Sequence, residues 1–232
     1  MSNTESTSTT ITPTGAPPAP APSPMMWRVA GILAIAHVVL LFAGFSQEVF
    51  TDPGDSAETL AATYAGADLG RVFAGGYVEA MSFVVLVAAV VVVARLIGRR
   101  TEAGRLAART FAALGITYAA ATLAVGFAPG AAALAATQHG VDIHTMAMVN
   151  DIRNYSFVLQ VALSAAMALA LGVAAVAERV FVTWVGWVGI AFGALGLVLT
   201  PFAHDAVSMG WMVWWLGVGL LLLLRGPKLP AN

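Results

Sequence analysis

The stretch GGYVEAMSFVVLVAAVVVVAR, residues 75–95, decides the fold class. Between Glu79 and Arg95 it carries no other charge. About 20 apolar residues in a helix match the thickness of a bilayer's hydrocarbon core, so the stretch reads as a membrane span. It also poses the functional question, because a carboxylate at position 79 is costly in lipid and needs a partner or water.

The rest of the chain has the same character. Of 232 residues, 59% are apolar and 10% are Asp, Glu, Lys or Arg. Mean hydropathy is +0.84. Soluble domains are about 45–50% apolar and about 25% charged. This chain lacks the polar side chains to cover a water-facing surface of its size, and a lipid bilayer as partner removes that need. The net charge of −1 gives no electrostatic basis for a nucleic-acid partner. Cysteine is absent, which excludes disulfides, thiol catalysis and cysteine-ligated zinc or iron–sulfur sites.

Six apolar runs follow one another near 27–45, 72–94, 107–128, 155–177, 181–201 and 209–224. The expected fold is all-α, a polytopic transmembrane helical bundle of six spans within residues 25–227. Residues 1–24, rich in Ser, Thr, Pro and Ala, read as a disordered tail, and 228–232 as a short second tail. The first run has no Lys or Arg before Arg28 and a poor cleavage site in FAGFSQ, so it reads as a retained span rather than a signal peptide.

Basic residues set the expected orientation, because they collect on the cytoplasmic side. With both termini inside, Arg28, Arg95, Arg99, Arg100, Arg105, Arg109, Arg179, Arg225 and Lys228 all fall inside. Only Arg71 and Arg153 fall outside. Trp27 and Trp184 at inner ends, with Trp211, Trp214 and Trp215 near an outer end, fit interfacial belts. The outer segments are the longer ones. DSAE at 55–58 reads as a capping box with Asp55 as N-cap of a short helix over about 56–66. The segment 129–155 suggests one further short helix and an extension of span 4. Short inner turns predict antiparallel neighbours.

Span 5 places Gly186, Gly189, Gly193 and Gly196 on one face, and span 4 places Ser164, Ala168 and Gly172 four apart. Small faces let helices approach closely in lipid. The expectation is packing within the chain; the alternative is a homodimer through the glycine face.

Glu79 lies 16 residues from Arg95, roughly 24 Å along a helix, in the outer part of the membrane. Asn150, Arg153, Phe157, Gln160 and Ser164 form a single helical stripe that lipid would not tolerate, so it must face inward. Arg153 then stands near the height of Glu79 and is the expected partner. His37 shares a face with Ala30, Ala34, Leu41 and Gly44, and Tyr77 and Tyr118 offer further hydroxyls. The candidate polar cluster is Glu79, Arg153, Gln160, His37, Asn150 and Tyr77. Two readings stand: structural hydrogen bonds between helices in a non-enzymatic protein, or a polar cavity open to the outside that takes a small solute or moves protons. A third set, His139, Asp142, His144 and His204, has residue types that suit zinc or copper and would make a membrane-embedded metal enzyme or sensor. No other cofactor is expected. Phosphate-loop, nucleophile-elbow, zincin and dinucleotide motifs are absent.

With NDIRN at 150–154 leading into span 4 and WVGWVG at 184–189 opening span 5, the layout resembles bacterial six-span integral membrane proteins grouped as a family of unknown function. The likeness covers about 27–225. It implies a helical bundle in the bacterial plasma (inner) membrane, and it assigns no catalytic residues.

Overall fold

The computed structural model describes residues 23–127, 139–140, 142–180 and 183–224. Among them there is no strand. The helices are α1 (Pro24–Phe45), α2 (Ala57–Ala65), α3 (Leu69–Ile97), α4 (Glu102–Ala121, continued as a π-helix over Thr122–Phe127), α5 (Ile143–Glu178) and α6 (Thr183–Leu224). Five of them, all but α2, are long and apolar enough to cross a membrane. Residues 1–22 of the expected tail, most of the stretch before α5 in which a short helix is expected within 129–155, and the C-terminal tail lie outside the described residues, while Pro24, expected in the tail, opens α1.

Local chemistry sets the helix starts. Asp68, Thr101 and Asp142 each accept a hydrogen bond from the amide three residues on, at 2.9–3.1 Å, and so satisfy one of the free donors of the first turn. Pro24 opens α1, where its missing N–H costs nothing. The N-cap of α2 is Ser56, not Asp55. The Ser56 hydroxyl accepts from the Thr59 amide, while the Asp55 carboxylate accepts from the Asp52 amide and closes the preceding turn.

The 42 residues of α6 do not form one rod. Ala203 has φ −147° and ψ 44°, outside the helical region, two residues after Pro201, which cannot donate to the turn before it. In a straight helix Gly189 and Trp214 would stand about 37 Å apart. Instead the Trp214 ring lies where a β-carbon on Gly189 would be, Val207 meets Gly196, and Phe192 meets Gly210. The helix therefore doubles back near residues 201–203 into two antiparallel arms.

Counting each arm, six helical segments form a closed ring in chain order. Gly44 of α1 packs on Gly75 and Glu79 of α3; Gly98 on Ala108 of α4; Gly115 and Gly126 of α4 on Met167 and Gln160 of α5; Gly172 of α5 on Gly186 and Gly189 of the first arm; and Gly219 of the second arm returns to Gly31 and Ala34 of α1. At Gly31, Gly44 and Gly172 a β-carbon would overlap the facing backbone. Small residues therefore set the interhelical distance, as expected where lipid gives no hydrophobic drive for association. The face formed by Gly186, Gly189 and Gly193 is filled by Ala165, Ala168, Leu169 and Gly172 of α5 and by Trp214. A homodimer through it would require α5 to leave.

The ring gathers the described basic side chains other than Arg71 and Arg153 at one end and the loop acids at the other. At the basic end the Glu178 carboxylate, 2% exposed, accepts from the amides of Arg100 (2.8 Å) and Thr101 (2.9 Å), from the Thr101 hydroxyl (3.0 Å) and from the Arg99 amide (3.3 Å). It ties the end of α5 to the turn between α3 and α4. The tryptophans depart from the expected belts. Trp184 and Trp187 are exposed, but Trp27, Trp211 and Trp215 are buried, with Trp211 stacked on Trp215 at 5.5 Å and Trp215 against Phe111 at 5.9 Å. Ring packing turns the second arm inward, and these indoles fill the centre of the bundle.

Candidate solute cavity at the acidic end

A cavity of about 500 Å³ lies inside the ring at its acidic end. Its charged lining is Glu48 from the segment after α1, Glu79 from α3 and Arg153 from α5, with Asp52, His204 and Asp205 nearer the rim. Tyr118 and Thr122 of α4, Gln160 of α5 and Ser208 of α6 add hydroxyl and amide groups. Phe83, Phe157 and Met212 supply apolar wall. The size falls within the range of small-molecule sites, and the pattern of mostly apolar wall with a few convergent polar groups is the usual one.

Each wall residue is placed by its helix. Arg153, Phe157 and Gln160 fall at steps of four and three on α5 and so share its inner face. The π-helix at 122–127 widens the end of α4. There the Thr122 hydroxyl lies 2.9 Å from the Tyr118 carbonyl and 3.2 Å from Gln160 Oε1, and Gly126 leaves space for the Gln160 amide. Such π segments frequently mark functional positions in helices. Towards the basic end four of the wall helices turn apolar within two turns: Leu86 and Val90 on α3, Phe111 on α4, Met167 and Leu171 on α5, Trp215 on α6, all buried. The cavity has a dry floor, and its rim is at the acidic end.

The roof is the segment 46–56, bolted to α5. Thr51 donates to Asn150 at 2.7 Å, the Gly54 amide to Asp151 at 3.0 Å, and the Asn154 amide to the Thr51 carbonyl at 3.3 Å. The Tyr64 hydroxyl of α2 donates to the same Asn150 oxygen at 3.3 Å, and burial raises its pKa above the ordinary tyrosine value.

Arg153 does not pair with Glu79 directly. Its guanidinium holds Glu48 at 2.5 Å. Glu79 in turn lies in hydrogen-bonding range of the Glu48 carboxyl and within the field of Arg153. The order is Glu79, Glu48, Arg153, with Glu48 between the two residues that the helical pattern singles out. Glu48 was invisible to that reasoning because it sits beyond the end of α1, where no periodicity says which way a side chain points.

The remaining expected members divide. Gln160 lines the cavity; its residue is 5% exposed and its Nε2 has no hydrogen-bond partner among the described residues. Asn150 stands behind the wall as the roof anchor. His37 is fully buried but outside the cavity lining, with Nδ1 donating to the Ser82 carbonyl at 2.9 Å and its ring edge on Phe83. Tyr77 is 62% exposed and lies outside the cluster, because it is two residues from Glu79 and so on another side of α3. In the histidine set, Asp142 is the N-cap of α5, and His139 and His144 are exposed. His204 borders the cavity with its ring edge on Phe157, and its Nε2 is 3.8 Å from Asp205. Among the described residues no three His, Asp or Glu side chains gather as metal ligands. The chain matches no family model, no curated protein and no solved structure.

Proposed function

We propose that this chain is a bacterial plasma-membrane protein of six crossings, with the basic end in the cytoplasm, that takes a small solute into the cavity from the outer side. The carrying observation is the cavity itself: about 500 Å³ of space holding Glu48, Glu79, Arg153 and an unpartnered Gln160 amide above a dry floor. Polar groups that only joined helices would close on one another and leave no such volume. Reading α6 as two crossings rests on its doubling back at Ala203, which gives each arm about 20 residues, enough for the hydrocarbon core. The orientation rests on the arginines at the other end. A floor closed towards the cytoplasm and a rim towards the outside are what a transporter has in its outward-facing state, and solute transport is the activity this reading favours.

Because the chain has no cysteine, single cysteines report without background. In intact cells, Gln160→Cys and Ser208→Cys should react with a membrane-impermeant thiosulfonate, while Tyr77→Cys and His37→Cys, facing lipid and packed core, should not. Failure of both cavity positions to react, with the proteins folded and in the membrane, would refute the reading.

A further inference from the structure

The cavity's charges are out of balance, and the imbalance indicates what it takes. Arg153 neutralises one carboxylate, Glu48. Glu79 is left over. Two carboxyl groups lining one cavity beside a single arginine favour a proton on the uncompensated one, Glu79. The groups facing Glu79 from every packed element are Glu48 after α1, Tyr118 on α4, Arg153 on α5, and His204 and Asp205 on the second arm of α6 across the space. With the proton in place the inner site is electrically balanced. Without it, one negative charge faces a cavity walled by Phe83, Phe157, Tyr118 and Met212. Aromatic faces and thioethers beside a carboxylate suit a cation with an apolar body. Below the carboxyl pair, Gln160 Nε2 is a buried donor with no acceptor, which a ligand oxygen would satisfy.

Building on the solute-cavity reading, we propose that the ligand is an organic monocation carrying an oxygen acceptor on its apolar body, and that it enters in exchange for a proton on the uncompensated carboxyl, Glu79. The exchange balances: the O–H bond of the Glu79 carboxyl breaks, the proton passes to outer water, and the ligand's positive charge takes its place. The site keeps its net charge.

Benzoylcholine is a suitable probe, because it is a permanent cation with an aromatic ring and an ester carbonyl; 3,3-dimethylbutyl benzoate is its uncharged isostere. Titration calorimetry on the purified full chain in detergent, in two buffers of different ionisation enthalpy, should report close to one proton released per benzoylcholine bound. Affinity should rise about tenfold per pH unit while Glu79 holds its proton. Glu79→Gln should abolish the release and weaken binding by roughly tenfold or more, and the isostere should compete at least tenfold worse. Glu48→Gln frees Arg153 to neutralise Glu79, so it should give the same loss and serves if Glu79→Gln does not fold. No binding, binding without proton release, equal affinity for the isostere, or indifference to both substitutions overturns the proposal. If cysteines at 160 and 208 are labelled while benzoylcholine fails, the ligand class falls and the cavity reading stands; if labelling fails as well, both fall.

Discussion

Arg153 on α5 and Glu48 in the segment after α1 form an ion pair at 2.5 Å across 105 residues of chain. The pair fastens the cavity roof to its wall, with the two side chains 24% and 10% exposed. Removing one member of such a mostly buried pair strands the other charge. Arg153→Ala or Glu48→Ala alone should each cost about 1–3 kcal/mol, less than a fully buried pair loses because of the remaining solvent contact. The double mutant should cost clearly less than the sum of the two. Thermal unfolding in detergent checks this, and simple additivity would show that the residues do not interact.

At the basic end, Glu178 accepts from four donors with almost no solvent contact. Glu178→Ala leaves the Arg100 and Thr101 amides and the Thr101 hydroxyl without acceptor, while the Arg99 amide keeps the Ile97 carbonyl, and should destabilise by about 2–4 kcal/mol. Glu178→Gln should recover only part of that, since its amide points two hydrogens at a site made of donors. A Gln variant as stable as the parent would contradict the role assigned to the carboxylate.

Gly193 and Gly217 lie on opposite arms of α6 and should respond in opposite directions. A β-carbon on Gly193 would overlap the Leu169 amide and the Ala165 carbonyl of α5, whereas Gly217 has open space around it. Gly193→Ala should cost about 1–3 kcal/mol by overpacking. Gly217→Ala should be neutral, or stabilising by up to about 1 kcal/mol through helix propensity. Both are read from the same detergent unfolding experiment, and similar effects at the two positions would undercut the ring packing.

The first turn of α2 carries a pH-dependent contribution. Glu58's own amide and then the Ser56 hydroxyl hold its carboxyl below the ordinary glutamate value near 4.5. Because the folded pKa is depressed, the stabilisation is fully present above that ordinary value and is lost as pH falls through the depressed one. Hydrogen exchange over 57–65, corrected for intrinsic rates, should show less protection near about pH 3 than near about pH 6, and Glu58→Gln should flatten the difference. Unchanged protection in the parent would count against the cap.

What was legible in the sequence follows from helical periodicity and polarity. The apolar runs gave the helices; α5, beginning at Ile143, includes the extension of span 4 expected within 129–155, and the break in α6 at Ala203 falls in the gap between the last two runs. The stripe through Arg153 and Gln160 gave the inward face of α5, and Glu79 marked the level of the cavity. Periodicity could not give the contribution of loops. Glu48, the Thr51–Asn150 bond and the acceptor role of Glu178 all depend on segments without a repeat.

By itself, then, the sequence determined that the chain is a bundle of apolar helices, which end of it is basic, and which face of each helix is small or polar, because those properties reside within single helices and their spacing. The tertiary structure alone decided that Trp211 and Trp215 turn inward and that Glu48 stands between Glu79 and Arg153. Each of these depends on how a helix is rotated and which neighbour it meets, and that is fixed by backbone approach at glycine contacts far apart in the chain.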